Sequence, residues 1–341
     1  MKKVKFGAAV LAFALAAAVV FAGGSGDKKA AGSAAGAAPK TVTWKLAFNQ
    51  SIEHPQAQAL LWLSDEFSKA TNGAYKIDVN PNELLGSQAQ SFESLRAGAI
   101  QMAMLGNPVV EAVIPDFAVI ALPGLYPSPE QQVKVFTSGV LKPLFDKSGQ
   151  FDFYVIAAVH AGVRNVYAKK PVRSPADIKG MKIRVMQSQL MLDTMNAVGA
   201  SAVAMGQGEV YTGIQQGVLD GAENSEVTFY DLKQYEVAPI YSYTRHFMIP
   251  DVLVINKDTY AALSAQHKAI FDKLIVEFSA RASANFLAQV TTAKQKAKDA
   301  GATFIEDVDA AAFQAGFAPV IQKNLNSDFR KQLFDAIRAV K

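Results

Sequence analysis

The chain has 341 residues, 50% hydrophobic and 19% charged, with a formal net charge of +4, four histidines and no cysteine. That is long enough for about two domains and apolar enough to bury their cores. The lack of cysteine excludes a disulfide framework, a Cys-ligated zinc or iron–sulfur site, a thiol nucleophile and a lipid-modified N-terminal cysteine. At the N-terminus, Lys2, Lys3 and Lys5 precede an apolar run of about 14 residues (8–21) and a small-residue end at Ala22, the layout of a secretory signal peptide over residues 1–22. The run is too short for a membrane span, which needs roughly 20 residues. Removing those three lysines takes +4 to about +1, so the charge gives no argument for nucleic-acid binding. Residues 23–42 are small and low in complexity and predict a flexible leader, with Gly23 where a lipidated cysteine would stand.

The predicted elements then follow in order. Residues 41–48 alternate like a strand, 54–71 carry Leu60, Leu61, Leu63 and Phe67 at helical spacing, and Asn72-Gly73 stops that helix. A strand at 75–79, a helix at 88–97 and an apolar strand at 100–104 complete a β-α-β-α-β series, which predicts an α/β domain with a mostly parallel sheet. A second α/β unit is predicted from strands at 154–159, 165–168 and 182–185, helices at 189–198 and 209–216, and a strand edge at 221–224. Residues 264–300 contain neither Pro nor Gly, with Ser264 as N-cap and Gly301 as C-cap. One continuous helix there would be about 55 Å long, enough to lie across both units, with Ile270, Leu274, Phe278 and Phe286 on one face. Two helices with an unmarked break are the alternative.

Catalytic signatures are largely missing. There is no GxSxG, no phosphate loop and no complete GxGxxG, because Gly206-Gln207-Gly208 supplies only two glycines and reads as a turn. Nor do His54, His160, His246 and His267 form an HExxH or a close pair. No cofactor and no metal is implied. The arginines say more. Arg164 opens the second unit, and Arg184 lies inside a predicted strand, where a guanidinium must be paired. Its planar fork suits a ligand carboxylate, and a salt bridge to Asp177, Glu209 or Glu223 suits it as well.

A resemblance bears on that choice. Residues 162–165 (GVRN), 170–185 (KPVRSPADIKGMKIRV), 197–200 (AVGA), 208–224 (GEVYTGIQQGVLDGAEN) and Thr244-Arg245-His246 occur in an order that resembles the solute-binding proteins of tripartite ATP-independent periplasmic (TRAP) transporters, the DctP type. The resemblance spans essentially residues 43–341. It implies a two-lobed periplasmic-binding-protein-like α/β fold with hinge strands and a long C-terminal helix spanning both lobes. The lobe boundaries expected are 43–161 with 250–288, and 162–249 with 289–341. It also implies a non-enzymatic, monomeric periplasmic protein that closes on an organic acid and delivers it to a membrane permease.

By the same resemblance, Arg184 pairs with the ligand carboxylate, Arg164 is a second basic contact and Asn224 offers an amide. Asn49, Gln88 and Asn107 line the cleft from the first lobe, and Gln187 adds a polar contact. Two departures matter: Gln207 stands where many relatives have an aromatic, and Gly106 where sialate-binding relatives have an acid. A hydrogen bond from Gln207 to a hydroxyl is therefore expected, and sialate is not. The polar set favours a sugar acid such as a hexuronate; a C4-dicarboxylate, with Arg164 taking its second carboxylate, stays open. Two other roles are the rivals: an exported enzyme, with His246 as its one histidine in the matching region, and the ligand-binding partner of a sensor kinase.

Overall fold

The computed structural model describes residues 41–341; the expected signal peptide and the leader up to residue 40 lie outside the described residues. Among the described residues eleven strands occur in chain order: β1 Val42–Phe48, β2 Tyr75–Asn80, β3 Met102–Gly106, β4 Phe153–Val159, β5 Arg164–Ala168 and β6 Lys182–Val185, then β7 Ser201–Ala204, β8 Gly221–Asn224, β9 Ile240–Phe247, β10 Asp251–Asn256 and β11 Thr303–Ile305. They form a five-stranded sheet, β2-β1-β3-β10-β4, and a six-stranded one, β11-β9-β5-β8-β6-β7. Both sheets are mixed, which corrects the mostly parallel expectation. β10 runs antiparallel to β3 and β4, and β5 antiparallel to β8 and β9. The cause is that strands returning from the other sheet enter from the opposite end.

Local chemistry sets the elements. Helix Pro55–Ala70 has proline in its first turn, and His54 Nδ1 accepts from Gln56 N–H as the cap. Helix Gln88–Arg96 starts with a capping box, in which Ser87 and Gln90 satisfy each other's backbone donors. Where helices cover the first sheet, Trp44 and Tyr75 of its strands pack ring to ring with Phe67 and Phe271 of the helices, with centroids 5.1–5.5 Å apart. Each aromatic buried there removes roughly 150–250 Å² from water.

The long helix is continuous over Ala265–Asp299, 35 residues, with Ser264 accepting from His267 N–H and Gly301 beyond its end at φ +98°. Its buried face centres on Phe271, Ile275, Phe278, Ala282 and Phe286. Ile270 and Leu274, expected on that face, lie at its margin and are only partly buried. One part of the helix packs on Pro55–Ala70 and β4, another on helix Glu226–Asp231 of the second sheet. The closing helix Asp328–Ala339 packs against the 3-10 helix Pro115–Ala121, and Arg330 bonds Asp116 at 2.7 Å. Residues 289–341 are thus shared between the two halves and do not lie wholly with the second.

Two short crossings join the sheets, from β4 to β5 and from β9 to β10, and the chain passes a third time from β10 to β11 through the long helix. Buried serines of the long helix hold the first crossing: Ser279 Oγ donates to Ala158 O at 2.6 Å, and Ser283 Oγ accepts from His160 N–H at 3.0 Å. Gln132 ties both crossings together, donating to Met248 O at 2.5 Å and accepting from His160 Nδ1 at 2.6 Å. At Gly162, φ +92°, a Cβ would fall 2.4 Å from Ser225 Cβ and 2.8 Å from the Phe286 ring, so only glycine lets this crossing pass the helix.

Candidate functional site

Strand register decides the fate of the two arginines. β5 and β6 flank β8 in the second sheet. Val166 pairs with Glu223, while Arg184 pairs with Ala222. Because side chains alternate along a strand, Arg164 shares a face with Glu223, and Arg184 lies on the opposite face with Ala222 and Tyr167.

Arg164 is consequently answered within its own lobe. Its Nε donates to Glu223 Oε2 at 2.5 Å and its Nη2 to Oε1 at 2.8 Å, with Nη1 reaching Asn224 Oδ1 at 3.2 Å. Burial alone would raise the Glu223 carboxyl, but the guanidinium, aided by His246, holds it down to about 2. His246 is itself buried and pushed below its usual range, hence neutral. Because the Glu223 carboxylate can only accept, the neutral His246 ring keeps its proton on Nε2 for that 3.3 Å contact, and its Nδ1 accepts from the Thr244 hydroxyl at 2.8 Å, while Val166 N–H donates to Thr244 Oγ1 at 3.1 Å. Arg164, expected as a second basic contact, lines the cleft with its guanidinium already paired to Glu223.

Arg184 is 2% exposed and has no acid partner among the described residues. Its Nε donates to Met205 O at 2.8 Å, and Nη1 makes a long contact of 3.5 Å to Gln207 Oε1. Burial lowers its pKa to about 10, so at neutral pH it remains a cation without a counter-charge in contact. A buried guanidinium in that condition is costly.

The cleft lies between the sheets as three adjoining chambers. The inner one, about 20 Å³, is lined by Asn49, Gln50, His54, Arg164, Gln207 and Asn224, among others. A second, about 30 Å³, joins Arg184 and Gln187 to Gln88 and Glu83. The mouth, about 210 Å³, is lined by Asn49, Asn82, Glu83, Gln207 and Tyr211. Gln50 Oε1, His54 Nε2 and Gln207 Nε2 are buried there without a protein partner. Each such atom costs roughly 1–3 kcal/mol if left so. Because His54 Nδ1 accepts the helix cap and burial lowers the ring's pKa to about 3, Nε2 carries the proton. Inner surfaces therefore offer one acceptor and two donors beside the free guanidinium, a set suited to a carboxylate and hydroxyls.

Of the residues expected at the site, Asn49, Gln88, Gln207, Asn224 and both arginines converge on these chambers. Gln88 also receives Gly106 N–H at 2.6 Å, and Gln187 is exposed at the rim. Asn107 does not take part. It is fully buried under the first lobe's surface, donating to Phe117 O at 2.9 Å to hold the 3-10 helix Pro115–Ala121. Gln50, His54, Thr228 and Asp251 line the inner chamber without having been singled out. His54 before a proline reads as a helix cap, and the tertiary fold alone adds its second role.

The two lobes also touch beyond the ligand chambers. Gly106 faces Met186, whose Cε would lie 2.4 Å from any Cβ there. Ser188, the N-cap of helix Gln189–Ala197, donates from Oγ to Glu111 across the lobes at 3.0–3.1 Å. Burial pushes the Glu111 carboxyl up to about 7, opposed by Ser188. A larger cavity of about 420 Å³ lies elsewhere, against β9 and residues 122–129. The smaller chambers are the better site, because the unpaired buried cation and three unpartnered polar atoms, on Gln50, His54 and Gln207, meet there.

The sequence matches the bacterial extracellular solute-binding protein family 7, DctP, over residues 46–328. Among solved structures, a TRAP periplasmic solute-binding protein of Anaerococcus prevotii with bound D-glucuronate superposes with a TM-score of 0.84 at 34% identity, covering 88% of this chain and 97% of that one. Another, from Xanthobacter autotrophicus with bound β-D-galacturonate, gives 0.83 at 29% identity, covering 87% and 100%. The C4-dicarboxylate-binding periplasmic protein DctP of Rhodobacter capsulatus is 29% identical over 274 residues, 78% of this chain and 81% of that protein.

Proposed function

The chain belongs to family 7 of the bacterial extracellular solute-binding proteins, and from that premise we propose that it is the solute-binding subunit of a TRAP transporter that captures a hexuronate. The observation that carries this reading is Arg184, buried beside the cleft with no acid of its own. A ligand carboxylate would complete it with charge-assisted bonds in a site where water screens weakly. Gln50, His54, Gln207 and Asn224 would meet the hydroxyls, and relatives of similar fold hold glucuronate or galacturonate. The commitment of Arg164 to Glu223 argues against a C4-dicarboxylate, which would need a second free cation.

The inner chambers are smaller than a sugar, so entry requires the lobes to part about the crossings at 159–164 and 247–251, with Arg184 and Gln207 on one side and Asn49 and Gln88 on the other. Ligand then stabilises the closed arrangement by its higher affinity for it. Export by the signal sequence, a monomeric state, delivery to a membrane permease and the absence of any reaction on the ligand complete the proposal. Among the described residues no helix is long and apolar enough to cross a membrane.

Thermal unfolding of the purified protein with D-glucuronate, D-galacturonate, succinate and neutral hexoses tests it. At about a thousand times the dissociation constant, the right ligand adds roughly 4 kcal/mol and raises the midpoint by several degrees. A shift with a hexuronate supports the reading. A shift with succinate alone overturns the ligand class, and no shift with any acid overturns the whole.

A further inference from the structure

Glu83 stands at the mouth of the cleft in a turn held firmly by the main chain. Asn82 and Glu83 both adopt left-handed backbone angles, φ 55° and 56°, a region that glutamate seldom enters. Asn82 N–H donates to Gln50 O at 2.8 Å, Glu83 N–H to Phe48 O at 3.2 Å, and Gly86 N–H to Glu83 O at 2.8 Å. The turn sends the side chain across to the second lobe. A Cβ at Gly208 would stand 2.9 Å from Glu83 Oε2, so glycine there leaves the carboxylate its place.

Glu83 lines one chamber with Arg184 and Gln207 and the mouth with Asn49. It is half-buried and makes no ion pair or side-chain hydrogen bond among the described residues. Burial raises its carboxyl pKa, Arg184 opposes that and Glu209 adds to it. Arg184 is free, Arg164 is neutralised by Glu223, Asp251 lines the inner chamber and Glu83 the outer. A monoanionic ligand satisfies Arg184 and leaves Glu83 to accept from hydroxyls. A dianion brings a second negative charge between Glu83 and Asp251, with no second free cation among the described residues that line the chambers. Like charges forced together in a partly dry site repel strongly.

Resting on the reading of this cleft as an acid-binding site, we propose that Glu83 is a specificity-determining residue: it accepts hydrogen bonds from the hydroxyls of a sugar monoacid and excludes dicarboxylates, both aldarates and C4-diacids. Calorimetric titration of wild type, Glu83→Gln and Glu83→Ala with D-galacturonate, galactarate and succinate tests this. Glutamine keeps the size and one acceptor while removing the charge, so it separates repulsion from hydrogen bonding, and circular dichroism checks that each variant is folded. Wild type should prefer galacturonate over both dianions by more than about 100-fold. In Glu83→Gln the dianions should tighten at least about tenfold while galacturonate weakens about three- to tenfold, because an amide oxygen is a poorer acceptor than a carboxylate. A preference that is unchanged in the glutamine variant overturns the role of Glu83 while leaving the hexuronate reading intact. Wild type that binds succinate best, or binds no acid, overturns both.

Discussion

Arg164 and Arg184 stand on the two strands that flank β8, and one residue of register gives them opposite fates. Arg164 shares a face with Glu223 and is locked into a buried, two-pronged pair. Arg184, on the other face, is just as deeply buried and has only a backbone carbonyl and a long amide contact. The first arrangement is complete without a ligand and holds the sheet together. The second is incomplete, and that incompleteness is what a carboxylate can use. Residue type does not distinguish a structural arginine from a binding one; the location of the nearest acid does.

The comparison predicts opposite responses to truncation. Glu223→Ala should destabilise the protein by roughly 3 kcal/mol or more, because it strands the buried Arg164 charge. Arg184→Met should instead leave the unliganded protein as stable or up to about 1 kcal/mol more so, since it replaces a buried unpaired cation by apolar packing. Urea unfolding of both variants checks this, and equal losses would erase the distinction between the two sites.

A smaller, pH-dependent effect separates two acids in the same way. Glu223, held down to about 2, contributes stability that is present above the ordinary carboxylate range and is lost as pH falls toward 2. Glu111, raised to about 7, has the opposite sign. Its folded form binds the proton more tightly, so its contribution declines as pH rises from the ordinary carboxylate range through 7. Glu111→Gln should therefore flatten the fall of the melting midpoint between pH 5 and 8 by roughly 2 °C. An identical slope in the variant would mean that the Glu111–Ser188 contact between the lobes does not titrate as its burial implies.

Much of the fold was legible from the sequence. Ser264 and Gly301 marked the long helix to within a residue, because an uninterrupted run between a cap and a stop leaves little freedom. Strand-like periodicity located β1, β5 and β6, and the helix expected at 88–97 is observed at Gln88–Arg96. The mixed sheets were not legible, because strand direction depends on crossings that leave no local pattern. Nor was the Arg164–Glu223 pair: Glu223 was in view beside Asp177 and Glu209 as a partner for Arg184, and only strand register assigns it to Arg164. The family resemblance placed Asn107 in the cleft, yet it turns inward to Phe117 O. Glu83 lay in an unremarkable Pro-Asn-Glu turn until its left-handed backbone aimed it across the cleft.

The central claim is that Arg184 is the cation left free for the ligand's carboxylate, and a binding cycle tests it most directly. Affinities for D-galacturonate and for D-galactose, which lacks the carboxylate, are measured for wild type and for Arg184→Gln. Wild type should prefer the acid by more than about a thousandfold, and the variant by less than about tenfold, since the charge-assisted pair is what the substitution removes. If the variant keeps the full preference for the acid, the carboxylate is held elsewhere and Arg184 is not its anchor.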